Sequence, residues 1–370
     1  MIKKIQIQNF KCFLNTSIEF NELTVLAGAN GVGKSTIIQA MLLLRQFYKN
    51  EDSKNVIISI NNKIDSFLEL GSTQEILATE SDSLDIQFKV EDSLNHSETI
   101  VFKIDKENPL SLSAEKMSTD YSFKNSFNKY LHYLNAERLG PRNTQQMSVQ
   151  KDLNVGFQGE FTGQAISLAS KNTESIYEYK QFPKSEAKTF EKQVEYWMQF
   201  IIPDIEINVS TYEDINQVRI GIRKKGADTA FLHPNNIGFG ISYSLPIIVS
   251  ALIAEPGCIL IIENPEAHLH PLGQSRIGQF IAKMSNSGVQ IIIETHSEHV
   301  INGVRLATKN GFKDKSKVTL NFLKSDKKLE IIPLDINENA ELSEWPVGFF
   351  DQEESDLSTI FKLNRAGYEG

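Results

Sequence analysis

The chain has 370 residues, 40% of them hydrophobic, enough for a sizeable core in one large α/β head or in two domains. Its net charge of −9 argues against a uniformly basic nucleic-acid binder and leaves room only for a local basic patch. Two cysteines, Cys12 and Cys258, make neither a disulfide framework nor a CxxC pair. The start lacks the apolar stretch of a signal peptide, and no run reaches the ~18 apolar residues of a membrane helix, so a cytoplasmic protein without a membrane segment is expected.

In chain order, "IKKIQIQNF" (2–10) sets Ile2, Ile5 and Ile7 in the pattern of an edge or half-buried strand, and "SIEF" (17–20) is expected to pair with it as a hairpin. "LTVLAG" (23–28) is continuously apolar and ends in glycine, as in a buried parallel sheet, and "TIIQAMLLLRQFY" (36–48) has helix periodicity. Alternating stretches at 55–60, 84–90 and 98–104 predict an antiparallel β-layer. Residues 113–230 mix helix and strand pieces without sustained heptads, which argues against a long coiled-coil arm. From 236 onward, helix (241–255), strand (258–262), helix (272–288) and strand (289–295) predict a parallel sheet. The expected organisation is therefore an N-terminal lobe (1–112), an inserted helical and β region serving as arm or lid (113–230), a C-terminal lobe (231–335) and a tail (336–370). The two lobes would together form one head.

"GANGVGKST" (28–36) fits G-x-x-x-x-G-K-[ST] at every fixed position, through Gly28, Gly33, Lys34 and Ser35. The glycines let backbone N–H groups turn onto phosphate oxygens, and the following helix points its positive end at the same anion. Asn30, Gly31, Val32, Gly33, Lys34, Ser35 and Thr36 are thus the expected binding residues for Mg·ATP. Lys34 would reach the β- and γ-phosphates, and the Ser35 hydroxyl would hold Mg²⁺.

"CILIIENPEAHLHP" (258–271) ends an apolar strand in Glu263, the expected second ligand of Mg²⁺. Asn264 follows, and an amide can orient a water but cannot take its proton. Glu266, beyond Pro265, is either the proton acceptor or an acid that bonds loop backbone. In "IIIETHSEH" (291–299), His296 is placed to sense a γ-phosphate, or else is a packing residue. A rival reading takes Glu263, Glu266, His268, His270, Glu294, His296 and His299 as zinc or manganese ligands of a metallohydrolase or nuclease. The phosphate loop makes that centre redundant.

With "IQIQNFKCF", "LTVLAGANGVGKST", "IIENPEAHLHP" and "IIIETHSEH" in place, the chain resembles the ABC-type ATPase heads of the SMC, RecF and OLD group. Aligned so, Glu263 stands for the usual Mg²⁺-site aspartate and Asn264 for the catalytic glutamate. A narrower resemblance spans nearly the whole chain. "YLNAERLGPR" (133–142), "VGFQGEF" (155–161), "NNIGFGISYSLPI" (235–247) and "WPVGFFDQ" (345–352) look like bacterial ATPases with an acid-amide-Pro-Glu Walker B stretch, often encoded beside anti-phage effectors.

The resemblance implies a P-loop NTPase of α/β class, with a mixed central sheet, an antiparallel β-layer and a helical insertion. It implies a homodimer sandwiching two ATPs, with Asn264 at the catalytic position and His296 as the switch histidine, and the residues themselves add Glu266 as the third catalytic candidate. A signature-like motif, "NIGFGIS" (236–242), would bring Gly238, Gly240 and Ser242 to the partner copy's γ-phosphate, or simply cap a helix. Lys11 would touch base or ribose, and Gln74 would sense Mg²⁺. The Glu137–Arg138 pair is either a buried ion pair or a phosphate sensor. Trp345, Phe349 and Phe350 either dock on the head or form a partner patch. The implied output is control of a co-encoded effector such as a nuclease, or of DNA engagement, in anti-phage defence or DNA repair. "RIGIRKKG" (219–226) is the best local basic patch for DNA, or a solvated hairpin tip. Because Asn264 replaces the acid, both a slow ATPase and a nucleotide switch with little turnover stay open.

Overall fold

The computed structural model describes residues 1–370 apart from 52–55, 64–66, 82, 106, 118–121, 130, 149–152, 172–175, 233–237, 326–328, 351–355 and 363–370. The N-terminal part runs β1 (Ile2–Phe10), β2 (Phe13–Glu19), β3 (Leu23–Gly28), α1 (Lys34–Asn50), β4 (Val56–Ser59), the short pair β5 (Asn61–Asn62) and β6 (Leu68–Glu69), β7 (Asp85–Asp92), β8 (Ser97–Ile104) and β9 (Ser111–Lys116). The middle supplies β10 (Leu131–Leu134), β11 (Gln145–Gln146), α2 (Thr162–Lys171), α3 (Phe190–Ile201), β12 (Ile205–Tyr212) and β13 (Gln217–Lys224). Then follow α4 (Phe239–Ile253), β14 (Ile259–Glu263), α5 (Pro271–Met284), β15 (Gln290–Glu294), α6 (Glu298–Lys309), β16 (Val318–Ser325) and β17 (Leu329–Leu334).

Two six-stranded sheets organise the chain. The order β2-β1-β7-β8-β9-β4 is the antiparallel layer, and it includes the expected β1–β2 hairpin with Ile5 opposite Ile18. The order β10-β14-β15-β3-β16-β17 is the central sheet, parallel except for its last strand. The central strands are apolar at nearly every position because the sheet has a core on each face. On β14, Leu260 and Ile262 enter the core shared with α2 to α6, while Ile259 and Ile261 enter the core shared with α1 and the antiparallel layer. Ile291 and Ile293 against Ile292 divide β15 in the same way. In the second core, Phe47 and Tyr48 of α1 meet Phe102 and Phe127.

The stretch 113–230, expected as an insertion, begins inside this architecture. Leu131–Leu134 pair in parallel with β14 and form the edge of the central sheet. In the tail, Phe349 is 1% exposed and packs edge-to-face on Phe322, whereas Trp345 stays 45% exposed beneath Arg305. Phe350 packs beside Phe349 at the margin of the same core, so two of the three aromatics dock and Trp345 stays largely exposed. Among the described residues, no helix is long and apolar enough to cross a membrane.

Candidate functional site

β3 delivers the loop that precedes α1, and Gly33 caps that helix in the left-handed region (φ +99°). A Cβ on Gly33 would lie 2.7 Å from the Cys12 sulfur, and one on Gly28 (φ +141°) would lie 2.3 Å from the Leu323 carbonyl oxygen. Both positions therefore require glycine. A Cβ on Gly31 meets nothing within 4 Å, so the loop is open there. The buried Lys34 donates to the carbonyls of Gly28 (2.9 Å) and Ala29 (2.7 Å), bridging the loop from inside. Burial lowers its pKa, and Glu294 and Glu266 oppose that shift. Left-handed glycines, a helix start and a lysine inside the loop make a cradle that fits the phosphates of a nucleotide.

The Ser35 hydroxyl donates to Glu294, 3.1 Å from each carboxylate oxygen. Glu294 ends β15, and one of its oxygens is 4.0 Å from the Lys34 ammonium. Burial pushes its pKa up to about 7, helped by neighbouring Glu263 and opposed by Lys34 and Ser35. Glu263 is in register with Glu294 at the end of β14. Its carboxylate accepts from the Tyr133 hydroxyl (2.9 Å) and the Ala136 N–H (3.2 Å), and burial raises its pKa as well. A hydroxyl beside carboxylates suits a hard cation such as Mg²⁺.

Asn264 turns the chain with φ +44°, a conformation asparagine tolerates better than most residues. Its N–H donates to the Glu294 carbonyl at 2.9 Å, and its side-chain Oδ1 is buried without a hydrogen-bond partner. Such an orphaned acceptor suits a water. Arg138 holds this corner from behind. It donates to the carbonyls of Asn135 (3.1 Å), Glu263 (2.6 Å) and Asn264 (2.5 Å), so it is a main-chain strut rather than the partner of Glu137. Glu266 accepts from the Thr295 hydroxyl and from the His296 N–H, each at 2.8 Å. The His296 ring is exposed, and partial burial together with the Lys34 charge lowers its pKa.

The fold thus brings Lys34, Ser35, Glu263, Asn264, Glu266 and His296 to one end of the central sheet. Glu294 completes the group. The sequence places it only in the rival metal centre and not at the phosphate loop, although a carboxylate closing the apolar run Ile291–Ile293 is the same signal that singles out Glu263. Helices α5 and α6 leave from this end and cross closely: a Cβ on Gly303 would lie 2.0 Å from the Ser275 carbonyl oxygen, and one on Gly278 would lie 2.3 Å from that of Val300.

The signature-like stretch lies against the segment that follows Glu266. Gly238 caps α4, a Cβ on Gly240 would lie 2.8 Å from the His268 carbonyl oxygen, and Phe239 and Tyr243 flank the His268 ring. Ser242, in the first turn, lines a cavity with Arg142 and Pro246. Asn236 and Ile237 of that motif, and Asp351 and Gln352 of the tail motif, lie outside the described residues. Lys11 reaches Gln39 of α1 (2.8 Å), and its N–H donates to the Ile76 carbonyl (2.8 Å), which brings the exposed Gln74 segment beside it.

The metal-centre reading is corrected here. Among the described residues, no three His, Cys, Asp or Glu side chains are grouped to hold an ion. His268 stacks on aromatics, His270 caps α5, and His299 points outward from α6, so the ligand types diverge. In the basic stretch 219–226, Arg223 pairs with Glu206 at 2.6 Å and Arg219 donates to the Phe231 carbonyl, which leaves Lys224 and Lys225 as its exposed cations.

Residues 23–302 match a family model described as "AAA domain, putative AbiEii toxin, Type IV TA system", and residues 314–360 match one described as a protein of unknown function. Over 321 residues the chain is 24% identical to an OLD nuclease of Thermus scotoductus, covering 80% of this chain and 59% of that protein. It therefore spans a little over half the length of that relative. Among solved structures it is similar to an Smc head domain with an extended coiled coil from Pyrococcus furiosus, bound to the C-terminal domain of ScpA. The TM-score is 0.51 at 14% identity, over 90% of this chain and 96% of that one.

Proposed function

The chain belongs to that AAA-domain family and has the fold of an SMC-type ATPase head, and on this footing we propose that it binds Mg·ATP at residues 28–36, hydrolyses it slowly, and closes two copies around the nucleotide. One observation carries the reading: the lysine and serine of the phosphate loop meet the carboxylate of a neighbouring strand end, with Ser35 bonded to Glu294 and Lys34 4.0 Å from it.

In this reading Asn30 to Thr36 hold the phosphates, and Ser35 with a strand-end acid holds Mg²⁺. When bound, that cation would neutralise charge on the phosphates. Asn264 orients the attacking water through its free Oδ1. His296 addresses the γ-phosphate beside Lys34, and Glu266 fixes His296 and is the first candidate for the proton. Gly238, Gly240 and Ser242 serve the nucleotide of the partner copy. ATP then acts as the fastener between heads, and its loss opens them. The fold neighbour is bound to a domain of another protein and the sequence relative is a nuclease, so the output we favour is control of an effector such as a nuclease, or of DNA engagement, in defence or repair.

A second reading, a nucleotide-gated switch with little turnover, is favoured by Asn264 and by Glu266 having both oxygens occupied. Steady-state ATP hydrolysis by the full chain, with Lys34→Ala as the blank, separates the two. Turnover above the blank supports the slow ATPase. ATP binding without turnover supports the switch. Absence of ATP binding would sink both. Light scattering of the chain with and without ATP tests the dimer.

A further inference from the structure

In the central sheet β15 lies between β3 and β14, and β10 lies on the far side of β14. Strands stand about 4.8 Å apart. The carboxylate ending β15 therefore starts one strand from the phosphate loop, and the one ending β14 starts two. Their hydrogen bonds follow this placement. Glu294 takes the Ser35 hydroxyl on both oxygens and lies beside Lys34. Glu263 is turned the other way, with one oxygen taken by Tyr133 of β10 and the other by the Ala136 N–H just beyond that strand.

From this divergence we infer that Glu294, not Glu263, is the carboxylate that completes the Mg²⁺ shell with the Ser35 hydroxyl, and that Glu263 is a strut fixing residues 133–136 to the sheet. The inference rests on the nucleotide-site reading above and deepens it. A hard divalent cation takes hydroxyl and carboxylate oxygens and keeps several waters, so one hydroxyl with one carboxylate already in contact is a sufficient protein contribution. The two oxygens of Glu263 have partners that would lose their acceptors if it left them. Those of Glu294 share a single hydroxyl, which needs only one acceptor at a time.

The test uses the full chain and the fluorescent nucleotide mant-ATP, titrated once with excess Mg²⁺ and once in EDTA. The ratio of the two affinities measures the cation's share of binding. Glu294→Gln is expected to shrink that ratio by about ten- to a hundredfold. Its affinity in EDTA should hold or tighten, because a carboxylate near phosphates repels them when no cation lies between. Glu294→Asp should recover part of the ratio. Glu263→Gln should keep the ratio and lower the melting temperature. A ratio lost in Glu263→Gln and kept in Glu294→Gln overturns the inference, and so does equal loss in both. If the wild-type chain fails to bind mant-ATP under either condition, the nucleotide-site reading itself falls and takes this inference with it.

Discussion

His296 hangs from Glu266: its backbone N–H donates to one carboxylate oxygen at 2.8 Å, while the Thr295 hydroxyl takes the other. Two segments far apart in sequence are thereby tied at the mouth of the site. A carboxylate engaged on both oxygens holds its neighbours in place, and each oxygen keeps a further lone pair for another donor.

This tie separates two roles for Glu266. As a positioning group, Glu266→Gln keeps an acceptor and should retain a substantial part of the turnover, whereas Glu266→Ala leaves the His296 N–H without its acceptor and strands the buried Thr295 hydroxyl at a cost of about 1–3 kcal/mol, and should lose activity. As a proton acceptor, both variants should lose turnover alike. Turnover and thermal melts of the two variants decide between them.

Asn264 sits at φ +44°, where a longer side chain is strained. Asn264→Glu should therefore lower stability by about 1–2 kcal/mol, while Asn264→Gly should fold as well as the parent. If the amide limits turnover, the glutamate variant should hydrolyse faster than wild type despite its lower stability. No gain in rate would mean that residue 264 does not face the attacking water.

Arg138 holds three carbonyls behind the strand end. Lysine lacks the planar fork, so Arg138→Lys is not conservative here. We expect it to cost about 1–3 kcal/mol from the carbonyls left without donors. Turnover should fall as well, because the Asn264 corner loses its support. A variant that is fully stable in urea titration would remove Arg138 from this role.

His132 gives the chain an acid-sensitive point. Burial, then the charges of Arg45 and Lys180, push its pKa down to about 4 from an ordinary 6.5, and its Nδ1 has no hydrogen-bond partner. Between these values the unfolded chain binds the extra proton and the folded chain does not. Stability from this group is thus full above pH 6.5 and is lost as pH falls toward 4, by at most about 3 kcal/mol. His132→Phe should flatten that slope in denaturant titrations at pH 7 and pH 5. An unchanged slope would assign the acid sensitivity elsewhere.

Local chemistry carried much of this architecture into the sequence. The strand–loop–helix around Gly28 to Thr36 is contiguous, and the units from 241 to 295 announce themselves by period and punctuation. Nonlocal facts were hidden. Leu131–Leu134 form a four-residue strand bearing His132 and Tyr133, too short and too mixed to show as a core edge. The rank of Glu294 over Glu263 near Ser35 depends on β15 lying between β3 and β14, which no motif spacing reveals. Arg138 reads as half of an ion pair beside Glu137 until the fold sets three carbonyls around it. The metal-like spacing of the histidines failed for the same reason: neighbours in sequence point apart once a turn and two helix starts intervene.

At the crossing of α5 and α6, carbonyl oxygens occupy the volume that side chains would fill at Gly278 and Gly303. Backbone pressed on backbone leaves no soft layer in which one helix can slip along the other. The Ser297 hydroxyl at the start of α6 also donates to Gln274 of α5 at 2.6 Å. The two helices should therefore behave as one cooperative unit, and their amides should open to deuterium together, with a shared opening free energy. A displacement entering through His296 would then reach the far ends of both helices as a single rigid rotation, much as a yoke turns two shafts at once.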